Sequence, residues 1–212
     1  MILKVLEKKT ETKDVFSLVF EKPASFSFYP GQYLDYELNG DTRAFTISAS
    51  PTDKFLMLTT KKGQSEFKKA LAKLKPGDEI KTSHPAGTFI LDENSPAVLI
   101  AGGIGITPFR SMIKYAHDQK LSTPVTLLYS NSDKDFVFKQ ELEKWKQGLE
   151  NLIIVYHNSS QSSHLTKLPS TTYHLPIYYL AGPPKMVDSF EKILLDQGVD
   201  KTNIRYDQFD GY

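Results

Sequence analysis

A glycine-rich stretch that opens a helix carries the strongest chemical signal in the sequence. Residues 102–108 read Gly-Gly-Ile-Gly-Ile-Thr-Pro and directly follow a short apolar run. Glycine lets the backbone approach a ligand closely, and a helix N-terminus offers free N–H groups to a phosphate. The stretch lacks the third glycine of the dinucleotide fingerprint and the Gly-Lys-Ser/Thr of a P-loop. It predicts an anion site, with a tight turn that binds no ligand as the alternative.

A predicted strand at residues 43–48 reads Arg-Ala-Phe-Thr-Ile-Ser. Strand alternation puts Arg43, Phe45 and Ile47 on one face. A guanidinium at the mouth of a barrel could hold a diphosphate, and an aromatic ring could contact a flat ligand. Taken alone, an ordinary half-buried strand explains the same pattern.

A third stretch, at residues 180–186, reads Leu-Ala-Gly-Pro-Pro-Lys-Met and again leads from a strand through glycine into a helix. Ligands of open α/β sheets bind beyond the carboxyl ends of the strands. We therefore expect the loops after Ala101, Tyr129 and Leu180 to share one rim. A proline-initiated helix that contacts no ligand is the alternative.

The elements that position these stretches differ between the two halves of the chain. Up to about residue 93, short strands alternate with turn residues, which predicts a six-stranded antiparallel β-barrel. The predicted strands cover residues 2–8, 15–21, 32–38, 44–49, 55–60 and 79–83. One helix is predicted at residues 65–74, with Ser65 as its N-cap.

Beyond residue 95, apolar strands alternate with helical stretches, which predicts a parallel-sheet α/β domain with helices on both faces. The predicted strands cover residues 98–101, 125–129, 152–156, 177–180 and 204–209. Helices are expected at residues 108–119, with Thr107 as N-cap, at residues 138–148, and after Pro183 and Pro184. A boundary at residues 92–96 gives one domain of residues 1–93 and a second of residues 94–212.

Composition narrows the class of protein. The chain has 212 residues, and 40% of them are hydrophobic, which is enough for a buried core. A formal net charge of +1 provides no global case for a nucleic-acid partner. The absence of cysteine excludes disulfides, a cysteine nucleophile, thiolate zinc sites and Cys-ligated iron–sulfur clusters. The histidines show no metal spacing and no apolar run is long enough to cross a bilayer, so we expect a cytoplasmic protein without a metal site.

Taken in order, the three stretches resemble the ferredoxin–NADP reductase superfamily. They correspond to an Arg-x-Phe-Thr-x-Ser strand, a Gly-Gly-x-Gly-x-Thr-Pro turn and a Gly-Pro-Pro-x-Met turn. The likeness extends to residues 30–33 (Pro-Gly-Gln-Tyr) and 85–89 (Pro-Ala-Gly-Thr-Phe), and so covers nearly the whole chain. It implies an FAD-binding barrel followed by an NAD(P)-binding α/β domain. Hydride would pass from NAD(P)H to FAD, and electrons would then pass to an external acceptor.

For the flavin, the resemblance implies roles for residues of the first half. Arg43 matches the arginine that holds the flavin diphosphate, and Thr46 matches the Ser/Thr near flavin N5, where hydride arrives. Phe45 replaces the usual tyrosine beside the isoalloxazine ring, which removes one hydrogen bond to the ribityl chain. A second flavin phosphate loop corresponds to Lys62, Gly63, Gln64 and Ser65.

For the dinucleotide, the resemblance implies three loops of the second half. The matching residues are Gly103, Gly105 and Thr107 at the diphosphate, Ser130 and Asn131 at the adenine ribose, and Gly182, Pro183 and Met186 near the nicotinamide. The family often has cysteine at the position of Ala181, so hydride transfer is expected to be slower or differently tuned. Residues 129–135 contain no arginine for a 2′-phosphate and two aspartates that would repel it, which favours NADH. Lys134 and neighbouring polar side chains leave NADPH open.

The C-terminus holds two candidates for the aromatic residue that packs against the flavin ring in this family. The family pattern is an acidic residue, any residue and an aromatic, and residues 207–209 and 210–212 both fit it. Phe209 is preferred because it continues a predicted strand, and Tyr212 is the alternative. Both are candidates for contact at the reacting centre.

Residues 54–75 contain seven lysines and one glutamate. A solvated helix face is the ordinary interpretation. A more specific hypothesis is that an acidic electron carrier docks near Lys61, Lys62, Lys68 and Lys69. Since the chain has no cysteine for an iron–sulfur relay and its length leaves little beyond a reductase core, the acceptor is expected to be a separate ferredoxin, flavodoxin, haem protein or small oxidant.

Two other functions fit the same sequence. One is a free-flavin or ferric reductase, in which flavin is a substrate. The other is a non-catalytic nucleotide-binding subunit or sensor that has kept the fold. FMN in place of FAD also stays open at this point.

Overall fold

The first half of the chain forms a six-stranded antiparallel sheet in the computed structural model, which describes residues 1–159 and 176–209. The strands are β1 (Ile2–Thr10), β2 (Val15–Glu21), β3 (Tyr33–Leu38), β4 (Asp41–Thr46), β5 (Phe55–Lys61) and β6 (Glu79–Thr82). They lie side by side in the order β4-β3-β6-β1-β2-β5. A bridge between Ile47 and Leu58 joins the two ends of this order. The sheet therefore closes on itself, which confirms the predicted barrel.

Strand β4 begins earlier than the sequence pattern predicts. Residues 44–49 were expected, but pairing starts at Asp41, which lies opposite Leu38. Asn39 and Gly40 between them have φ values of 52° and 78°. Two residues with positive φ form a hairpin turn whose twist matches that of the strands, so pairing resumes at once.

A short helix, α1 (Glu66–Leu71), follows β5. Its predicted N-cap is confirmed, because the Ser65 side chain accepts a hydrogen bond from the backbone N–H of Lys68. The helix ends three residues before the predicted residue 74. Its buried residues Phe67 and Leu71 face the core.

The second half forms a parallel sheet with helices on both faces, as predicted. The strands are β7 (Ala97–Gly102), β8 (Val125–Asn131), β9 (Leu152–Asn158), β10 (Ile177–Gly182) and β11 (Ile204–Gln208), in the order β11-β10-β7-β8-β9. The helices are α2 (Ile106–Gln119), α3 (Lys139–Gly148) and α4 (Pro184–Asp196). Leu99 packs in the core with α2 and α3, whereas its neighbour Ile100 packs with α4. No helix in these ranges is both long and apolar enough to span a membrane.

The predicted N-cap of α2 is wrong. A 3-10 turn at Gly103–Gly105 precedes the helix, Gly105 occupies the cap position, and the helix begins at Ile106. Gly103 has a φ of 54°, which allows the chain to turn sharply directly after β7. The Thr107 hydroxyl therefore lies inside the first turn and donates to the carbonyl of Ile104 at 3.1 Å.

Candidate active site

A cavity of about 410 Å³ lies between the barrel and the parallel sheet. One wall comes from β3, β4, β5 and α1. The opposite wall comes from the residues that follow β7 and β10 and from the end of β11. Ligands of open α/β sheets bind beyond the carboxyl ends of the strands, and this edge faces the barrel. The cavity thus brings candidate residues from both halves of the chain together.

The barrel wall of the cavity carries an aromatic ring and an unsatisfied hydroxyl. Phe45 lines the cavity, and its ring stacks on that of Phe67 at a centroid distance of 5.9 Å. Thr46 is only 4% exposed, and its Oγ1 has no hydrogen-bond partner among residues 1–159 and 176–209. A buried hydroxyl without a partner costs free energy, so a polar ligand atom would stabilise it. This wall suits a flat ligand with a polar edge.

The glycines of the loop after β7 have different surroundings. Gly103 lines the cavity, and the nearest atom to a Cβ built on it is Lys61 Nζ, at 3.5 Å. Gly105 faces away from the cavity, and a Cβ there would overlap the carbonyl oxygen of Ala181. Thr107 lines the cavity beside Gly103. Gly103 thus leaves room for a ligand, whereas Gly105 lets the start of α2 pack against β10.

The loops after β7, β8 and β10 meet at one rim, as the sequence predicts. Pro183 lines the cavity, and Met186 packs against Gly102, where an added Cβ would overlap its sulfur. Asn131 reaches the same rim, with its Oδ1 at 3.8 Å from the Cβ position of Gly103. Three segments that are distant in sequence therefore surround one edge of the cavity.

The end of β11 supplies a carboxyl and an aromatic ring. Phe209 lines the cavity, and its backbone N–H donates to the carbonyl of Gly182 at 3.0 Å. Asp207 also lines the cavity and pairs with Ala181 on β10. Burial raises the pKa of the Asp207 carboxyl to about 6, so this group titrates much closer to neutrality than an ordinary aspartate. Tyr212, the alternative aromatic candidate, lies outside the described residues.

Several predicted cofactor residues do not line the cavity. Arg43 is half-buried on β4, with Nη1 at 2.9 Å from Asp41 Oδ1. Lys62 Nζ donates to the carbonyl of Lys13 at 2.7 Å. The predicted residues outside the lining are Arg43, Lys62, Gly63, Gln64, Ser65, Gly105, Ser130, Asn131, Gly182 and Met186. Contact of these residues with a cofactor stays a prediction.

Part of the lining was not anticipated from the sequence. Tyr33 of β3 and the pair Thr59 and Thr60 of β5 contribute to the barrel wall. Lys61 and Lys68 also line the cavity, although the sequence suggests only a charged surface for them. No local signal marks the residues of β5 and α1, because β5 comes next to β4 only when the barrel closes. Tyr33 could have been found, because it belongs to the Pro-Gly-Gln-Tyr stretch.

Sequence comparison relates the chain to electron-transfer proteins. Residues 99–192 match the family described as oxidoreductase NAD-binding domain. The toluate 1,2-dioxygenase electron transfer component of Pseudomonas putida is 32% identical over 200 residues, which covers 86% of this chain and 59% of that protein. The chain thus spans about three-fifths of the length of the first curated relatives it matches.

Comparison with solved structures gives the same fold over nearly the whole chain. The flavohem-like FAD/NAD-binding domain of nitric oxide dioxygenase from Vibrio cholerae has a TM-score of 0.84 at 25% identity, with 98% of each chain covered. Ferredoxin-NADP+ reductase from Plasmodium falciparum has a TM-score of 0.83 at 18% identity, covering 98% of this chain and 95% of that one.

Proposed function

We propose that this chain is a member of the ferredoxin–NADP reductase superfamily, in which residues 1–93 bind FAD and residues 94–212 bind NAD(P)H. When bound, these cofactors supply the redox chemistry: hydride leaves nicotinamide C4 for flavin N5, and electrons then pass to an external acceptor. The chain holds the two reacting groups in line and excludes water from between them. The protein would thus be an NAD(P)H-dependent flavoprotein oxidoreductase.

One observation carries this proposal: the two halves of the chain line opposite walls of one cavity, and the two walls have different chemistry. The barrel side presents the Thr46 hydroxyl, which has no hydrogen-bond partner within the described ranges and fits the polar edge of a flavin. The opposite side presents Gly103, whose positive φ and polar side-chain neighbours, the Lys61 ammonium and the Asn131 amide, fit a diphosphate close to the start of α2. The residues present thus fit both cofactors at the same cavity.

Four residues of the lining have distinct tasks in this proposal. Thr46 donates its hydroxyl hydrogen bond to the polar edge of the flavin, beside the reacting atom. Phe45 and Phe209 would provide apolar surface for the flat ring of the flavin. The Asp207 carboxyl, whose pKa lies near 6, can hold or release a proton at the cavity near neutral pH.

An anaerobic titration tests this function. Purified protein loaded with FAD should lose its visible flavin absorbance when one equivalent of NADH is added without oxygen. Loss with neither NADH nor NADPH would contradict the proposal and favour a nucleotide-binding subunit or sensor. Separation of the yellow cofactor from the protein during gel filtration would favour a free-flavin reductase instead. The same titration with FMN decides which flavin the barrel holds.

NADH is the proposed dinucleotide, because the end of β8 presents a carboxylate where a 2′-phosphate would need a cation. Asp133 Oδ1 accepts hydrogen bonds from Asn131 Nδ2 and from the backbone N–H of Asp135, both at 2.9 Å. These contacts hold the negative charge in place at this loop. Reduction at lower concentrations of NADH than of NADPH is expected in the titration.

Replacing Arg43 with alanine should weaken FAD binding by roughly 1.5–3 kcal/mol, the usual contribution of a hydrogen bond to a charged group. The guanidinium now lies beside Asp41, so it must turn from this carboxylate toward the flavin diphosphate. Asp41→Asn is the matched control, because it removes the competing charge and should leave FAD binding as tight or tighter. Flavin fluorescence quenching measures both constants. Equal FAD binding by Arg43→Ala and the parent would disprove this place for the diphosphate.

A docking surface for an acidic redox partner is proposed on the barrel, around the mouth of the cavity. Of the four predicted lysines, Lys62 and Lys69 do not line the cavity, so they can face a partner. Because Lys62 also belongs to the predicted flavin phosphate loop, the test uses Lys69→Met alone. This variant should slow turnover with an acidic ferredoxin or flavodoxin a few-fold at low salt and flatten its salt dependence. Turnover with a small neutral acceptor should not change. Lys4→Met, at an exposed position of β1 that does not line the cavity, is the control. An equal salt response of the two acceptors would rule out this surface.

A further inference from the structure

Arg110 is the most deeply buried charged side chain near the cavity. It lies on α2, one turn beyond the glycine-rich loop, and only 3% of it is exposed. A charged group is rarely buried to this extent unless hydrogen bonds and counter-charges compensate the lost water. The sequence analysis assigned no role to it.

One side of the Arg110 guanidinium is held by α3. Its Nε and Nη2 donate to the two carboxylate oxygens of Glu141 at 2.8 and 2.9 Å, a bidentate pair. The rings of Phe138 and Trp145 lie 5.1 and 5.4 Å from the guanidinium carbon. Contacts with α3 therefore fix the orientation of this planar group.

The other side of the guanidinium reaches the barrel. Arg110 Nη1 donates to the carbonyl of Ser48 at 2.8 Å. Ser111, the next residue of the helix, also binds the barrel: its Oγ donates to the carbonyl of Ala49, the residue after Ser48, at 2.7 Å. Two consecutive residues of α2 thus hold two consecutive carbonyls of the barrel segment that directly follows Thr46. We call these two hydrogen bonds the carbonyl clamp.

The segment held by the carbonyl clamp is itself rigid. The backbone N–H of Ile47 donates to the carbonyl of Gln32 at 2.9 Å, and that of Ser48 donates to the carbonyl of Met57 at 2.8 Å. A force on the carbonyls of residues 48 and 49 is therefore transmitted to Thr46, two residues away. The other end of the clamp, the start of α2, carries the loop with Gly103.

We propose that Arg110 is a positioning residue that sets the distance between the flavin edge at Thr46 and the nicotinamide side of the cavity. This inference rests on the proposed function. The flavin is held mainly by the barrel and the dinucleotide mainly by the parallel sheet. Lys61 and Lys68 reach the dinucleotide side of the cavity from the barrel through long, flexible side chains, so separate binding of either cofactor depends little on the clamp. The alignment of the two reacting groups does need it, and a displacement of about 1 Å can slow such a reaction about a hundredfold.

Stopped-flow reduction under anaerobic conditions tests the clamp in the FAD-loaded protein. Arg110→Lys keeps the charge but lacks the planar fork that bonds Glu141 and Ser48 together. It should lower the rate of flavin reduction at saturating NADH about tenfold or more, and Ser111→Ala should lower it a few-fold. The dissociation constants of FAD and of ADP-ribose, a probe that carries the diphosphate but cannot donate hydride, should remain within twofold of the parent. Gln119→Ala, at the exposed end of α2, is the control and should leave all of these values unchanged.

Hydrogen–deuterium exchange adds a measurement that does not depend on turnover. Amides of residues 47–53 should exchange faster in Arg110→Lys and Ser111→Ala, while those of β1 and β2 keep the parent rates. Parent rates of reduction in both variants would overturn the positioning role. So would a loss of ADP-ribose or FAD affinity as large as the loss in rate, because the effect would then be on binding. Failure of the parent itself to be reduced by either dinucleotide would refute the proposed function, and this inference with it.

Discussion

Gly105→Ala is expected to destabilise the protein by about 3 kcal/mol, at the upper end of the usual range for overpacking. A Cβ at this position would overlap the carbonyl group of Ala181 and lie 2.7 Å from the backbone nitrogen of Gly182. These neighbours are backbone atoms of a central strand, so they cannot move aside as a flexible side chain would. The free energy of unfolding in urea, measured on the FAD-free protein, gives the size of the effect.

Gly103→Ala should destabilise the protein less than Gly105→Ala does but should weaken ligand binding, although the two glycines are only two positions apart. Its φ of 54° makes alanine strained by about 1–2 kcal/mol, but the added methyl group meets no backbone atom. The methyl group would enter the cavity instead, so ADP-ribose binding should weaken about tenfold or more.

Gly198→Ala provides the matched control for both glycine variants. Gly198 has a φ of 82°, and a Cβ there would meet no atom within 4 Å, so this variant reports the backbone strain alone. A Gly105→Ala variant as stable as Gly198→Ala would disprove the packing explanation. If Gly103→Ala bound ADP-ribose as well as Gly198→Ala does, the loop after β7 would not be the ligand site.

Neutralising both Lys61 and Lys68 should weaken ADP-ribose binding about a hundredfold, or roughly tenfold for each charge-assisted contact. Both lysines line the cavity, and neither forms an ion pair within the part of the chain that the structure describes. By contrast, Lys69 on the same helix is paired with Glu66 at 2.9 Å. Burial, and then the charge of Lys61, lower the pKa of Lys68. An anion between the two ammonium groups would relieve this cost, and the Lys61 ammonium lies beside Gly103.

Calorimetry with Lys61→Met, Lys68→Met and the double variant measures the effect. Lys73→Met is the control, because this exposed lysine follows α1 and does not line the cavity. Adenosine, which has no phosphate, should bind all of the variants equally. Equal ADP-ribose binding by the double variant and the parent would contradict a role for these lysines at the diphosphate. A selective loss of FAD would mean that they hold the flavin diphosphate instead.

Local patterns were enough to predict the order of the strands and helices. Alternation in β3 and the continuous apolar run of β7 identify a half-buried and a fully buried strand without any knowledge of their neighbours. The Ser65 N-cap was found for the same reason, since its hydrogen bond spans three residues. The Thr107 N-cap was wrong, because a 3-10 turn of the same local composition shifts the helix start by two residues.

Only the tertiary structure decided which residues of those loops face the cavity. Gly103 and Gly105 look equivalent in sequence, and their difference depends on β10, which lies more than 70 residues further along the chain. Lys61 turns inward because the barrel closes, and Arg110 meets the Ser48 carbonyl across 62 positions of sequence. The sequence by itself therefore determined the antiparallel strands of the first half and the alternating strands and helices of the second, because propensities and turns act over a few residues. Contacts between distant segments decide which loop residues face the cavity, leave the Thr46 hydroxyl without a partner and form the carbonyl clamp. These contacts exist only after the two sheets have packed together.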